Sequence, residues 1–92
     1  MATVNLIVKG KVQGVFFRAE AKEAADKLGI TGWVKNHEDG NVEIMAKGSE
    51  QAIHEFIEWC KKGPKKAQVT DVIVTPLHLD DFNSFEIIRE SF

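Results

Sequence analysis

In the stretch Gly10-Lys11-Val12-Gln13-Gly14-Val15-Phe16-Phe17-Arg18, two glycines bracket a turn and an arginine stands just beyond it. Glycine has no Cβ, so the backbone can come close to a ligand at both bends. If a helix begins at Phe17, its first amides have no intrahelical acceptor, and its dipole adds about half a positive charge at that end. Arginine in a first turn opposes that dipole. The placement becomes favourable when a multiply charged anion sits between the cation and the amides. Phosphate suits both partners, because helix starts bind it and the planar guanidinium fork matches its oxygens. On the residues alone, this reading stands beside a plainer one in which the glycines serve backbone geometry and the arginine is solvated.

A second segment stands out: Gly32-Trp33-Val34-Lys35-Asn36, followed by Asp39-Gly40-Asn41-Val42 and, further on, Gly48. The elements that must position the two segments follow from periodicity. Thr3 to Lys9 alternates, with Val4, Leu6 and Val8 on one face, as in a half-buried strand. Phe17, Ala21, Ala24, Ala25 and Leu28 follow helical spacing, and Gly29 stands where a C-terminal cap is expected. Ile30 to Asn36 and Asn41 to Lys47 read as two strands joined by His37-Glu38-Asp39-Gly40, whose Asp-Gly is a tight-turn signal.

Ser49 is an N-cap for a second helix with an apolar stripe of Ile53, Phe56, Ile57 and Cys60, closed by Lys61, Lys62, Gly63 and Pro64. Val69 to Thr75 is a β-branched strand that Pro76 is expected to stop, and Phe85 to Arg89 a last, shorter edge strand. The order β-α-β-β-α-β, with a short extra terminal strand, predicts an α+β ferredoxin-like two-layer sandwich: an antiparallel sheet with two helices on one face. The first strand is then central, and its end lies beside the strand that carries Asn36.

With 92 residues the chain has room for one two-layer core, so residues 1–92 are expected to form a single domain. Apolar residues at 43% and charged residues at 28% are ordinary for a soluble globular protein. A net charge of −2 argues against nonspecific nucleic-acid binding, which needs a basic surface. One cysteine excludes an intramolecular disulfide and a four-cysteine metal or iron–sulfur site, and it fits a reducing compartment. Cys60 itself reads as a small core hydrophobe. No window is long enough to span a bilayer and no leader pattern opens the chain, so the expected location is the cytoplasm.

The two segments resemble the two signatures of the acylphosphatase family. Gly10 through Arg18 is similar to the first, and Gly32 through Asn36, with Gly40, Val42 and Gly48 at their offsets, to the second. The resemblance in element order runs from Val4 to Arg89. It implies hydrolysis of carboxyl phosphates to a carboxylate and inorganic phosphate, without metal or cofactor. Carried over by position, it implies that Arg18 binds the phosphoryl group and that Asn36 orients the attacking water. The backbone amides of Gln13, Gly14, Val15, Phe16, Phe17 and Arg18 would cradle the phosphate oxygens. Some members carry a hydroxyl residue directly after the asparagine, where this chain has His37, so His37 is given no role.

The implied partners are small acyl phosphates and inorganic phosphate, with no nucleic acid, no membrane and a monomer as the expected state. The chemistry is consistent with so few groups. The leaving carboxylate has a conjugate acid with a pKa of about 4, so it departs without a general acid. Loose phosphoryl transfer needs mainly positioning and charge stabilisation.

Other residues point to little. His37, His54 and His78 fit no common zinc spacing and are expected at the surface. Trp33, Phe16 and Phe17 are expected in the core, Phe16 being the best placed to shape a cleft mouth. Lys61-Lys62-Gly63-Pro64-Lys65-Lys66 reads as a solvated helix end, and Asp80 and Asp81 as surface carboxylates.

An RNA-recognition module shares this element order but stacks bases on strand aromatics, which Asn5-Leu6-Ile7-Val8 and Val42-Glu43-Ile44-Met45 lack. A regulatory domain that binds its ligand without turnover is disfavoured through Asn36. A part of a larger carbamoyl-transfer enzyme would need a remainder that these residues do not provide.

Overall fold

The computed structural model describes residues 1–78 and 81–89, so Asp80 lies outside the described residues. Its elements are β1 (Ala2–Lys11), α1 (Phe17–Leu28), β2 (Thr31–Asn36), β3 (Val42–Gly48), α2 (Glu50–Lys62), β4 (Gln68–Leu77) and β5 (Phe85–Ile88). The sheet order is β4-β1-β3-β2-β5. β1 pairs antiparallel with β3 and β4, and β3 with β2, which is the ferredoxin-like arrangement with β1 inside. β5 adds to the free edge of β2 in parallel, so the whole sheet is mixed.

Alternation decides which sheet face is covered. Val4, Leu6, Val8, Val34, Val42, Ile44 and Ala46 are buried and meet Phe17, Ala21 and Ala25 of α1 and Ala52, Ile53, Phe56 and Cys60 of α2 in one core. Each fully buried side chain of valine or phenylalanine size is worth about 1.5–3 kcal/mol relative to exposure. Aromatic contacts tie the elements together: Phe56 of α2 meets Phe85 of β5 edge-on at 5.9 Å across the layers, and Phe17 of α1 meets Trp59 of α2 at 5.3 Å between the helices. Cys60 is fully buried, as expected, and burial pushes its thiol pKa well up. It is therefore an inert core residue.

The helix bounds follow from their caps. α1 ends where the Gly29 N–H reaches the carbonyls of Ala25 and Asp26. α2 begins at Ser49, whose hydroxyl accepts from the Ala52 amide at 3.1 Å, and ends with the Gly63 N–H on Trp59 O.

Several expectations need correction. The first strand does not lie beside the strand that carries Asn36, because β3 stands between β1 and β2. Phe16, expected in the core, is exposed, because its left-handed backbone at the start of α1 turns the side chain outward. Pro76 does not stop β4, which runs on to Leu77 with Pro76 opposite Val4. β4 is an edge strand, so half of its N–H groups need no ladder partner and proline is tolerated there. Trp33 is not in the core either. It alternates with buried Val34 and so stands half-buried on the face away from the helices, with the Lys35 ammonium 5.3 Å from its ring centre.

Candidate active site

The loop between β1 and α1 is pinned from beneath. Val12, Val15 and Phe17 are buried, whereas Gly14 and Phe16 face out. This spacing lifts the main chain of residues 13–16 to the surface while its apolar side chains anchor it. A register shift at Lys9/Gly10 bends the strand end, which stays on β4 with Gly10 opposite Val69 and Lys11 opposite Gln68. Gly10 has φ +119°, and a Cβ there would lie 2.1 Å from Gln68 O, so only glycine fits. Gly14 has φ +73°, and a Cβ there would meet no protein atom within 4 Å. The space above it is open for a ligand.

Phe16 precedes the first turn of α1 at φ 64°, ψ 21°, and no side chain caps the helix. A left-handed phenylalanine costs on the order of 1–3 kcal/mol and marks a place where structure serves something besides stability. Among the described residues, no amide from Gln13 to Arg18 donates to a protein acceptor. Arg18, half-buried in the first turn, makes no hydrogen bond or ion pair with a described residue. Unpaired amides, a helix dipole and an unpaired guanidinium thus converge on one spot, a setting for an anion.

Asn36 closes β2, and its Oδ1 is buried without a hydrogen-bond partner. A buried acceptor left open costs about 1–3 kcal/mol unless something outside the protein satisfies it. Asn36 and Arg18 line the same cleft of about 440 Å³, together with Gly14, Phe16 and Phe17. Phe16, 71% exposed, stands at its mouth, whereas Phe17 is a core residue that borders it from below.

Gln13 and Val15, expected to contribute to the same cradle, do not line the cleft. Val15 points into the core, and the Gln13 side chain turns to the β2–β3 turn. What they can offer a ligand is their main-chain amides. Ile87 and Arg89 also border the cleft, and sequence reasoning missed both. β5 runs parallel to β2 with Ile88 opposite Lys35, which brings the next residue, exposed Arg89, to the level of Asn36. The available signal was a cation at the end of a terminal strand, meaningless without the pairing.

His37, which follows Asn36, is half-buried, while His54 and His78 are exposed. The His37 Nε2 lies 2.6 Å from Glu43 Oε1, and Asn5 Nδ2 donates to Glu43 Oε2 at 2.7 Å. Partial burial acts to raise the Glu43 pKa, but the hydrogen bonds from His37 and Asn5 and the charges of His37 and Lys35 outweigh it and hold it below the usual range. Asp81, exposed as expected, pairs with Lys47, which lowers its pKa. Among the described residues, no group of three or more His, Cys, Asp or Glu side chains is placed to hold a metal ion. No helix among the described residues is long and apolar enough to cross a membrane.

A model of the acylphosphatase family matches residues 4–87. The acylphosphatase of Methylococcus capsulatus is 40% identical over 91 residues, covering 98% of this chain and 99% of that one. That of Acaryochloris marina is 45% identical over 86 residues, covering 94% and 92%. The crystal structure of the acylphosphatase from Bacillus subtilis matches with a TM-score of 0.94 at 43% identity, over 97% of this chain and 100% of that one.

Proposed function

The chain belongs to the acylphosphatase family, and on that premise we propose how its cleft carries out the family's reaction. It is a hydrolase of acyl phosphates, acting on an acid anhydride. The phosphoryl group lies over Gly14, its oxygens taking hydrogen bonds from the loop amides of Gln13 through Arg18 and from the Arg18 guanidinium. Asn36 Oδ1 accepts a hydrogen bond from a water and holds it in line with the bond to be broken. The water oxygen bonds to phosphorus as the bond from phosphorus to the carboxyl oxygen breaks. The leaving carboxylate takes that electron pair, and the water's proton passes to a phosphoryl oxygen. The products are a carboxylate and inorganic phosphate.

The observation that carries this reading is the pairing of two unsatisfied groups, Arg18 and the Asn36 Oδ1, on one cleft. The carboxylate leaves as a weak base, so the residues need not include a general acid, metal or cofactor. Preorganised donors act on the charge of the transferring group. A cleft built around the phosphoryl group specifies the acyl part weakly, so several small acyl phosphates are accepted. A monomer in the cytoplasm, with no nucleic-acid or membrane partner and residues 1–92 acting as a single domain, fits this reading.

The test is consumption of acetyl phosphate by purified protein, with and without a chelator. Turnover that is indifferent to chelator and inhibited by inorganic phosphate is expected. No turnover at micromolar protein would overturn the reading.

A further inference from the structure

The two halves of the cleft are separately supported. The phosphate loop is pinned by buried Val12, Val15 and Phe17. The turn after Asn36 closes itself, through His37 N–H on Asn41 O at 2.9 Å and Gly40 N–H on His37 O at 3.1 Å. Asp39 adds a bond from the Asn41 amide. Neither half therefore needs the other to hold its own shape. Their mutual spacing is another matter, because the β1–β3 ladder ends at Val8 opposite Val42, short of the loop.

One side chain spans the gap. Gln13 Nε2 donates to His37 O at 2.6 Å and to Asn41 O at 2.9 Å. Both amide hydrogens are thereby used, each on a carbonyl that already accepts a turn bond. Among the described residues, these are the only hydrogen bonds that join residues 12–16 to the β2–β3 hairpin. One of the two carbonyls belongs to the residue directly after Asn36.

We infer that the Gln13 side chain is a positioning residue that sets the gap between the phosphate loop and Asn36, and so places the water relative to a phosphoryl group it does not itself touch. The inference rests on the roles proposed above for Arg18 and Asn36. It separates binding from turnover. Each half keeps its shape without the strap, so phosphate still binds, while a water held at the wrong distance reacts slowly. A misplacement of about 1 Å can lower a rate about 100-fold.

The test is Gln13→Met, which keeps the approximate length and removes both donors without placing a charge beside the phosphate loop. Gln13→Leu carries the test if Gln13→Met does not fold by circular dichroism. The kcat on acetyl phosphate is expected to fall about tenfold or more, with the inhibition constant of inorganic phosphate within about twofold of wild type. In an Asn36→Ala background the same substitution is expected to lower kcat by less than about twofold, since the group it positions is gone.

An equal fold-loss in both backgrounds, or an inhibition constant that rises in step with the loss of kcat, would overturn the inference in favour of a merely structural role. A wild-type protein without turnover would overturn the functional reading and this inference together. An active wild type whose Gln13 variants keep full kcat would overturn this inference alone.

Discussion

The two helices of this fold begin in opposite ways. α2 starts at Ser49 in extended backbone, with its hydroxyl on the Ala52 amide and Glu50 in the first turn, so its orphan amides and dipole are answered from within. α1 starts at a left-handed Phe16 with no side-chain cap and carries Arg18 in its first turn. Both helices bury an apolar stripe in the same core, so packing does not distinguish them. The difference lies in what the first turn leaves undone. α2 gains about 1 kcal/mol from its cap, whereas α1 forgoes that and adds backbone strain of similar size. A helix start left this open leaves its amides available to a ligand, as the proposed function requires, and the Asn36 Oδ1 without a partner across the cleft shows the same incompleteness.

If the contrast is one of function against stability, substitutions at the two starts must fail in different currencies. The largest effect is expected at Arg18. Arg18→Ala should lower kcat/KM on acetyl phosphate by more than about 1000-fold, exceeding the loss of one oxyanion donor because binding and turnover both depend on it. Initial rates over a substrate series check this. Asn36→Ala should lower kcat about 100- to 1000-fold while the inhibition constant of inorganic phosphate stays within about threefold. Wild-type turnover in Asn36→Ala would remove its water-orienting role.

Smaller effects read the same contrast through stability. Inorganic phosphate at about 100 times its dissociation constant should raise the unfolding free energy of the wild type by about 2.7 kcal/mol in urea titrations, and that of Arg18→Ala far less. Ser49→Ala, at the other helix, should lose about 1 kcal/mol of stability and keep its kcat.

The smallest effect concerns Glu43, beneath the β2–β3 turn. Its folded pKa is depressed, so its contribution is intact above the unfolded value of about 4.3 and is lost as pH falls through the folded one. Glu43→Gln should therefore flatten the fall in stability on the acid side of that window. An unchanged acid limb would mean that the His37 and Asn5 contacts contribute nothing to stability.

Much of this architecture is legible in the sequence because it rests on local signals. The limits of α1 follow from the apolar spacing of Phe17, Ala21 and Ala25 and from Gly29, and the start of α2 from Ser49. Gly14, Phe16, Phe17, Arg18 and Asn36 meet at one cleft because the ferredoxin-like order brings the end of β1 beside the hairpin.

What escaped depends on pairings that no local pattern encodes. The parallel register of β5 on β2 brings Ile87 and Arg89 to the cleft, and alternation within Phe85–Ile88 says nothing of its neighbour. Pro76 lies inside β4 because that strand is at an edge, which is a property of the sheet and not of the segment. Trp33 is half-buried beside Lys35 because its alternation partner Val34 took the core face. The direction of the Gln13 side chain is fixed by two carbonyls 24 and 28 residues away.

The central claim is that the loop and Arg18 hold the phosphoryl group while Asn36 delivers water to phosphorus. Hydrolysis of acetyl phosphate in water labelled with heavy oxygen tests it directly, by mass analysis of both products after subtraction of the uncatalysed background. The label is expected in inorganic phosphate and not in acetate. Label in the acetate would mean attack at the carbonyl carbon and would contradict the account.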